Sequence, residues 1–529
     1  MNIKHYTFFI ILFIAGPIFA QHDPGRNAVR LLVTNRFEPA IDLLAQPPRK
    51  MNSPIDDAER FFVLTLAASM QGDTLTALKH AKQAVAAGLP VERLQAGPKT
   101  LLQALYASHA FRRWIKQLEK TLIHGPLLGA VTDSSASFWV RTAQEAKVTI
   151  EARQLSATAG NNNIIIQTAR TAAAADYTAK VFLPELLPDM QYAYRVYVDG
   201  RFVSSENRFR TFPKQNTATR FSIAFGGGAG YTPQNERMWT ILQSHDLHAL
   251  LLLGDNVYID DPEHVATQRY CYYRRQSQPD WRNLTASLPV FSIYDDHDFG
   301  TNDCVPGSEI ERPAWKRPVW QVFRENWNNP AYGGGKTQPG CWYDFTIGDV
   351  HFIMLDCRYY RDLDAGSMLG AVQKKWLFKR LRSSKGKFKV LVSSVPWSPG
   401  VKPGSKDTWD GFSNEREEIF SYFEKNKIIG VLLMSADRHR SDMRRIQRKN
   451  GYDLYEFMSS KLTNVHTHDL VQNAKGSEFI MGYNAKCSFG LLEFDTVAAD
   501  PHVKFSIVNI DNEFIDSRML KLSQLSVNN

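Results

Sequence analysis

The 529-residue sequence is poor in cysteine, and the few cysteines that it has form no familiar pattern. Five cysteines can form at most two disulfides, and their spacing alone does not assign the pairs. No C-x-x-C pair is present, so the usual signature of a structural zinc site is missing. With 43% hydrophobic and 22% charged residues, the chain has the composition of ordinary globular domains. The cysteines are Cys271, Cys304, Cys341, Cys357 and Cys487.

Runs of basic residues interleaved with aromatic ones are also absent. Lys and Arg number 63 against 54 Asp and Glu, a net charge of +9 that is mild for so long a chain. Nucleic-acid binding therefore has no support in the sequence, although a weakly basic protein can favour anionic substrates. Beyond the N-terminal stretch, no run approaches the roughly 20 apolar residues of a membrane span.

The N-terminus has the pattern of an export signal. Lys4 and His5 precede the apolar stretch YTFFIILFIAGPIFA, which ends at Ala20 before Gln21. A basic start, a short apolar core and a small residue at the exit predict a signal peptide over residues 1–20. An uncleaved membrane anchor is the alternative. We expect an exported protein, periplasmic or secreted, with no membrane span after cleavage.

Residues 21–122 carry apolar side chains at helical spacing and predict an all-α segment of helical hairpins. The stretch AERFFVLTLAASMQGDTLTALKHAKQAVAAGLP reads as two antiparallel helices around the turn at residues 71–73, the second ending near Gly88 and Pro90. It resembles tetratricopeptide-like hairpins, without a clean repeat. Such helices offer a surface for a protein partner or act as a spacer.

From Gly125 the hydrophobic period changes from helical spacing to alternation. Short alternating runs predict a fibronectin/immunoglobulin-like β-sandwich over residues 123–213. Residues 213–220 are then expected to form a linker. The runs are ASFWVRT, AKVTIEAR, YTAKVFL, YAYRVYVDG and ENRFRTF.

Residues 218–522 alternate between apolar runs and amphipathic segments, which predicts an α/β domain. Each apolar run ends in polar or glycine residues, and loops at such strand ends usually hold the ligand. The runs are RFSIAFGGG, HALLLLGDN, PVFSIYDDHD, VHFIMLDCR, FKVLVSSVPW and IIGVLLMSADRH.

Four of these strand ends carry candidate metal ligands. Carboxylates cannot gather at one edge of a sheet without cations to offset their repulsion. Oxygen donors with imidazole, and no thiolate cluster, favour iron, manganese, calcium or zinc. The candidates are Asp255 and Tyr258, then residues 295–298 (DDHD), then Cys357 and Arg358, and last Asp437 and His439.

The motifs GDNVY, YDDHDFGTND, LDCRYYRD and SADRH, in that order, resemble the PhoD-like alkaline phosphatase family within the calcineurin-like metallophosphatases. The resemblance covers roughly residues 125–520, because GPLLGAVTDSSASFWVRT is similar to the small β domain that precedes the catalytic domain in that family. It implies a four-layer α/β/β/α metallophosphatase sandwich. It also implies an exported phosphoesterase that hydrolyses a phosphate ester, of a small molecule or a polymer, with a metal-bridging hydroxide.

The resemblance further implies two or more metal ions, with Fe(III) and Ca(II) as the favoured pair, and it implies a role for individual residues. The implied metal ligands are Asp255, which would bridge two ions, Tyr258, Asp296, Asp437 and His439. The implied catalytic residues are His297 and Arg358, and the implied substrate contacts are Asn256, Arg358 and Asn302.

Two features depart from the family pattern. The first strand ends in GGGAG (residues 226–230), where PhoD-like proteins place a cysteine ligand, and Ser393 and Ser394 stand where many metallophosphatases have histidine. The glycines could present N–H groups to phosphate or simply form a tight turn. Similarly, His297 could be an ion-paired surface histidine, and Arg358 could form a structural salt bridge.

A competing hypothesis is a degenerate, non-catalytic phosphatase-fold protein that binds partners through its helices. The missing ligand at the first strand favours it. If the protein is an enzyme, residues 21–120 should be dispensable for turnover, because every candidate ligand lies at Asp255 or beyond.

Overall fold

The computed structural model describes residues 23–45, 55–155 and 164–526. The expected signal peptide, residues 1–20, lies outside these ranges. Within them, no helix combines the length and the apolar character needed to cross a bilayer.

The N-terminal part of the described chain is helical. Aspartate side chains cap three of the helices by accepting a hydrogen bond from the N–H three residues on, as Asp23, Asp56 and Asp73 do. Helices α3 and α4 pack together across a turn at the expected residues 71–73, in which Gly72 has φ +79°. The helices are α1 (Pro24–Leu32), α2 (Phe37–Ala45), α3 (Asp57–Met70), α4 (Thr74–Ala86), α5 (Val91–Ala96), α6 (Gln103–Ala107) and α7 (His109–Ile115).

Two small antiparallel sheets follow the helices. One has the order β1-β2-β5 and the other β4-β3-β6-β7, with β8 also paired to β6. Phe138 of β2 lies 4.5 Å from Tyr194 of β6 and 5.3 Å from Phe209 of β8, ring centroid to centroid, so the inward side chains of both sheets share one core. The strands are β1 (Leu122–Gly129), β2 (Ala136–Thr142), β3 (Lys147–Gln154), β4 (Ile164–Arg170), β5 (Thr178–Leu183), β6 (Gln191–Val198), β7 (Arg201–Phe202) and β8 (Asn207–Arg210).

The remaining chain is a mixed α/β unit with two larger sheets. The strands are β9 (Arg220–Gly226), β10 (Ala249–Leu253), β11 (Val290–Ile293), β12 (Tyr343–Ile347), β13 (Val350–Met354), β14 (Phe388–Val392), β15 (Val431–Ser435), β16 (Ser441–Ile446), β17 (Leu454–Ser459), β18 (Glu478–Tyr483), β19 (Ser488–Asp495), β20 (His502–Asn509) and β21 (Phe514–Lys521). The helices are α8 (Met238–Gln243), α9 (Val265–Ser277), α10 (Pro279–Ser287), α11 (Asp296–Phe299), α12 (Lys316–Asn326), α13 (Gly370–Ser383) and α14 (Ser413–Lys425).

The six-stranded sheet has the order β11-β10-β9-β19-β20-β21, and the seven-stranded sheet β12-β13-β14-β15-β17-β16-β18. Strands β9, β10 and β11 run parallel, as do β13, β14, β15 and β17. Parallel strands bring their carboxyl ends to one edge, which is where the candidate ligands follow. The gathering that the sequence predicts at strand ends therefore has a structural basis.

The seven-stranded sheet has an apolar core on each face. Along β13, Phe352 faces the six-stranded sheet and lies 6.1 Å from Phe494, while Ile353 joins a separate core with Leu377 of α13 and Phe420 of α14. Alternation of this kind explains why all five residues of the strand are buried and only His351 is polar, since both faces are covered. Two sheets packed against each other hold the strand ends in fixed positions.

The N-terminal helices pack directly on α9 of the larger unit. Asp23 pairs with Arg274, and Arg93 donates to the Tyr270 carbonyl at 3.1 Å. The rings of Phe62 and Tyr270 stack at 6.3 Å, and all of these side chains are buried. The helices are therefore continuous with the main core rather than a loosely attached appendage.

Candidate metal centre

The loop after β10 has an unusual backbone that several contacts fix. Asp255, Tyr258 and Asp260 have φ of 53°, 50° and 54°, a region that non-glycine residues seldom adopt. Gly254 precedes them because a Cβ there would meet Asp295 Cβ at 2.4 Å. The Asp298 carboxylate accepts the N–H groups of Asn256 and Val257 at 2.9 and 3.0 Å. Strain of this kind gathers at functional sites, where the surroundings hold it.

Asp255, Asp296 and His297 come together as the sequence predicts. One ligand atom of each lies within 4.8 Å of the others, and all three residues are buried. Burial raises the pKa of Asp255 well above its usual range, and the charges of Asp296 and Asp295 raise it further, although His297 opposes them. Without a cation, this site penalises the ionised carboxylate of Asp255.

His297 is held by an acid that sequence reasoning did not single out. Its Nδ1–H donates to Asp260 Oδ1 at 2.5 Å, and its ring stacks on Tyr258 at 4.7 Å between centroids. Burial lowers the pKa of His297, but the carboxylates of Asp260, Asp296 and Asp255 outweigh that effect and raise the pKa well above 6.5. His297 is only 4% exposed, so it is not a surface histidine.

Asp437 and His439 follow β15 and reach the same edge. Both have positive φ, 70° and 43°, and His439 Nε2 lies 3.4 Å from the Tyr258 hydroxyl. Burial lowers the pKa of His439 well below 6.5, so its imidazole is neutral, the form that binds a metal. Of the five predicted ligands, Asp255, Tyr258, Asp296 and His439 are buried, and the side chain of Asp437 is 9% exposed.

Several oxygen and nitrogen atoms of these residues are buried and unsatisfied. Within the described ranges, Asp255 Oδ1, Asp296 Oδ1, Asp437 Oδ2 and His439 Nδ1 have no hydrogen-bond partner. Buried polar atoms are normally paired, and leaving one unpaired costs about 1–3 kcal/mol. Carboxylate oxygens and a neutral imidazole are suitable donors for hard and borderline cations. The residues present therefore fit a metal group.

The guanidinium group of Arg358 is paired with carboxylates. Its Nε donates to Asp295 Oδ1 at 2.5 Å, and its Nη1 donates to Asp407 Oδ1 at 2.6 Å. The side chain is fully buried. Sequence reasoning missed Asp407, which no strand-end motif marks.

The two asparagines with implied substrate roles differ in exposure. Asn256 is buried, and its Nδ2 donates to the Ile293 carbonyl at 2.8 Å, which turns its unpaired Oδ1 into a further candidate ligand. Asn302 is exposed and lies beyond α11. The structure therefore brings Asn256 to the site and leaves Asn302 at the surface.

A second acidic group borders the first. Carboxylate oxygens of Asp296, Asp303 and Asp407 lie within 4.8 Å of one another. Lys402 Nζ donates to Asp303 at 2.9 Å and to Asp407 at 3.0 Å, so a lysine ammonium offsets part of this charge. Lys402 also lies 3.9 Å from Asp437 Oδ2, at the boundary with the first group.

The GGGAG loop is a site of close backbone contact, not a phosphate cradle. Gly227, Gly228 and Ala229 donate their N–H groups to the carbonyls of Ser459, Gly254 and Asp255, which leaves none of the three for an anion. A Cβ on Gly228 would meet the Ser460 carbonyl oxygen at 2.3 Å. Glycine is needed because segment 459–464 passes directly over it.

That segment leads to two histidines, His466 and His468, that lie in none of the strand-end motifs. The rings of His466 and His468 lie 5.0 and 5.1 Å from the His439 ring, centroid to centroid. Their Nε2 atoms are 3.0 Å apart. The H-x-H spacing was the available signal, but no motif tied it to the other strand ends.

Two family models match consecutive parts of the chain. The model of the PhoD-like phosphatases matches residues 223–505, and that of a domain of unknown function (DUF7800) matches residues 119–217. Alkaline phosphatase D of Bacillus subtilis (strain 168) is 23% identical over 308 residues, which are 48% of this chain and 52% of that protein. The chain thus spans about half the length of this curated relative.

Two solved structures share the fold. A structure of PhoD aligns with a TM-score of 0.63 at 16% identity, over 76% of this chain and 90% of that one. The purple acid phosphatase PPD1 of yellow lupin (Lupinus luteus) aligns with a TM-score of 0.56 at 14% identity, over 76% and 75%. The family model spans more than half of the chain and contains all the candidate ligands. The chain belongs to the PhoD-like phosphatase family.

Proposed function

We propose that the protein is an exported, metal-dependent phosphoesterase of the alkaline phosphatase D type. The observation that carries the proposal is the group of buried, unsatisfied donor atoms on Asp255, Asp296, Asp437 and His439, next to His297. Those atoms need a cation, and a histidine held by an aspartate beside them is suited to proton transfer. Phosphate esters, of a small molecule or a polymer, are the substrates that the family favours.

The proposed ligands are Asp255, Tyr258, Asp296, Asp437 and His439, with Asn256 Oδ1 as an additional donor. Fe(III) and Ca(II) are the proposed ions, because a tyrosine suits a trivalent ion and carboxylates suit calcium. When bound, such ions supply the positive charge that polarises a phosphoryl oxygen and activates water.

The residues of this chain have separate proposed tasks in hydrolysis. Asp260 accepts the Nδ1–H of His297 and its charge favours the imidazolium, whose Nε2–H then passes its proton to the leaving oxygen. Arg358 holds Asp295 and Asp407 next to Asp296, and we propose this positioning task for it alongside the substrate contact implied by its motif.

The scaffold of the proposed enzyme has three parts after the signal peptide of residues 1–20. They are a helical segment (21–122), a β-sandwich (123–213) and a four-layer α/β/β/α catalytic domain (218–522). Export is tested by N-terminal sequencing of the protein recovered outside the cytoplasm, which should begin near Gln21. An intact Met1 in that fraction would overturn cleavage.

The decisive experiment is turnover of p-nitrophenyl phosphate and bis(p-nitrophenyl) phosphate, with the protein loaded separately with iron, calcium, manganese and zinc. His297→Ala should lower kcat by about 10²–10⁴-fold while leaving thermal unfolding near that of the parental protein. Absence of turnover with every metal and both substrates would instead favour the non-catalytic binding protein. A His297→Ala variant with parental kcat would make His297 structural.

A further inference from the structure

Arg26, in the first N-terminal helix, reaches into the candidate metal centre. Its Nη1 donates to Asp260 Oδ2 at 2.6 Å and to the Tyr258 carbonyl at 3.0 Å. Asp260 uses its other oxygen, Oδ1, to accept from His297 Nδ1 at 2.5 Å. A continuous chain of contacts thus runs from helix α1 through one carboxylate to the candidate catalytic histidine.

The same guanidinium also braces the strained loop. Tyr258 and Asp260 both have positive φ, and Arg26 binds the carbonyl of one and the carboxylate of the other. The His297 carbonyl accepts the N–H groups of Ile259 and Asp260 at 2.7 and 3.1 Å. Arg26 therefore completes a set of contacts that ties residues 258–260 to His297 from both sides.

The ion pair between Arg26 and Asp260 is buried, which makes its loss destabilising. The Arg26 side chain is 1% exposed and that of Asp260 is 14% exposed, so the pair is shielded from water. Removing one partner of such a buried pair leaves the other charge uncompensated, which is costly.

We propose that Arg26 is a positioning residue for the reaction, acting on His297 through Asp260. The inference rests on the proposed phosphoesterase function. It assigns the helical segment a part in the active site, in place of the dispensable module expected from the order of motifs. Arg26 fixes the Asp260 carboxylate, Asp260 fixes the His297 ring, and His297 then presents Nε2 in one orientation.

The test compares Arg26→Gln and Arg26→Lys with a matched control, Arg93→Gln, in the full chain. Arg93 is also 1% exposed on the helical segment, and it also binds a carboxylate (Glu59, 2.7 Å) and a backbone carbonyl (Tyr270, 3.1 Å), but it does not touch Asp260 or His297. Arg26→Gln should lower kcat about 10–100-fold, as loss of supporting contacts at metal sites does, with KM little changed. Arg26→Lys should recover part of the loss, and Arg93→Gln should keep parental kcat in the fraction that folds.

Two further measurements separate positioning from general loss of structure. If His297 protonates the leaving oxygen, Arg26→Gln should slow aryl phosphates with basic leaving groups more than p-nitrophenyl phosphate. The double variant Arg26→Gln/His297→Ala should be no slower than His297→Ala alone, because both changes remove one effect. Equal losses for all leaving groups, or additive losses in the double variant, would overturn the proposal. A parental protein without turnover would instead overturn the proposed function.

Should Arg26→Gln fail to fold, Asp260→Asn provides the second variant. It keeps the size of the side chain and removes the charge that both Arg26 and His297 contact. The proposal requires the same dependence on leaving group and the same non-additivity with His297→Ala. Parental kinetics for Asp260→Asn would overturn it.

A different observation carries a second inference, at the loop over the GGGAG segment. His466 and His468 have Nε2 atoms 3.0 Å apart, and their rings pack edge to face with that of His439. Within the part of the chain that the structure describes, His439 Nδ1 and His468 Nδ1 are buried without a hydrogen-bond partner. Three neighbouring imidazoles, two of them with a buried unsatisfied nitrogen, suit zinc-class ions.

We infer that His466 and His468 join His439 in binding a borderline divalent ion, with ring rotation turning the nitrogens toward it. The segment that leads to them, residues 459–464, lies directly over Gly228, in the loop where the expected thiolate is absent. The chain thereby offers imidazole donors from a different loop in place of a ligand on the first strand.

Metal binding tests this without any turnover. Metal-free full-length protein is titrated with Co²⁺, and the visible ligand-field spectrum and the bound stoichiometry are recorded. The variant His466→Ala/His468→Ala should lose one equivalent or bind it at least 10-fold more weakly, whereas the control His245→Ala, which contacts Asn512 instead, should not. Unchanged stoichiometry, affinity and spectrum in the double variant would overturn the inference.

Discussion

Arg358 Nε lies 2.5 Å from Asp295 Oδ1, and the same guanidinium donates to Asp407 at 2.6 Å. Arg361 also pairs with Asp407, and all four side chains are almost fully buried. Burial lowers the pKa of Arg358, but the three carboxylates of Asp295, Asp296 and Asp407 raise it well above its usual range. The arginine is thus a permanent cation inside an acidic group, under the loops that carry the candidate ligands.

We therefore expect Arg358→Gln to lower the stability of the fold more than it lowers substrate affinity. Removing one member of a buried ion pair costs about 3–5 kcal/mol, because the charges left behind are unpaired. Denaturant unfolding of the metal-free protein measures the loss. Arg445→Gln, which breaks an exposed pair with Glu478, is the control and should change stability by less than about 1 kcal/mol. Parental stability with a raised KM would instead support the substrate contact that the LDCR motif implies.

The elements of the fold were predictable where the signal is local. The α3–α4 hairpin, the alternating strands and the acidic strand ends each lie within a short window of sequence, so periodicity and turn residues reveal them. The parallel sheet then brings Asp255, Asp296 and His439 together without further information. Their functional roles remain predictions that the experiments above address.

What was missed depends on contacts between distant segments. Arg26 is 234 residues from Asp260, and Asp407 lies in a loop with no motif. The glycines of GGGAG are needed because segment 459–464 packs against them. A glycine-rich sequence indicates a close backbone contact but does not identify the segment that makes it. His466 and His468 are brought to His439 by that same long-range contact.

In the metal-free protein, we expect the free energy of unfolding to fall as pH rises from about 4 to 7. Burial raises the pKa of Asp295 to about 7 and that of Asp298 to about 6, so the folded state binds protons that the unfolded chain releases. The contribution of these two carboxyl groups to stability is complete below their unfolded-state pKa of about 3.9. It is lost as pH rises through their pKa values in the folded protein. Asp260, with its pKa near 2, acts in the opposite sense only below pH 4.

The measurement is the thermal midpoint of chelator-treated protein at several pH values. Adding metal back at pH 7 should raise the midpoint, since a ligand that binds only the folded state stabilises it. Asp255→Asn should stabilise the metal-free protein, because it removes a buried charge with a raised pKa, and should abolish much of the metal-induced shift. A flat pH profile with no response to metal would contradict a buried acidic centre.

Deleting residues 21–120 should impair the protein, contrary to the expectation from motif order. The deletion removes Asp23 and Arg93, which contact α9 at Arg274 and Tyr270, and it removes Arg26 from Asp260. It also exposes the apolar surface that packs against Phe62. We expect low solubility or a lower unfolding midpoint, by roughly 1 °C for each kcal/mol of stability lost in a protein of about this size. A stable 121–529 protein with parental kcat would show that the helices are separable.

The final prediction concerns Tyr258 and the identity of the metal. The ring is fully buried, stacks on His297 at 4.7 Å and places its hydroxyl 3.4 Å from His439 Nε2. Burial raises the pKa of Tyr258 well above 10, and the charge of Asp255 raises it further, so the side chain is a neutral phenol unless a strongly charged cation displaces its proton. Fe(III) can do so, and the resulting phenolate gives a visible charge-transfer band.

Iron-loaded protein should therefore be coloured, and Tyr258→Phe should lose the band while keeping the ring stacking and a near-parental unfolding midpoint. Tyr294→Phe is the matched control: Tyr294 is equally buried, but its hydroxyl donates to Asp356, outside the proposed ligand set, so its removal should leave the band in place. Elemental analysis of active protein accompanies the spectra. Zinc or manganese without iron in that protein would make Tyr258 a packing residue and would remove iron from the proposed centre.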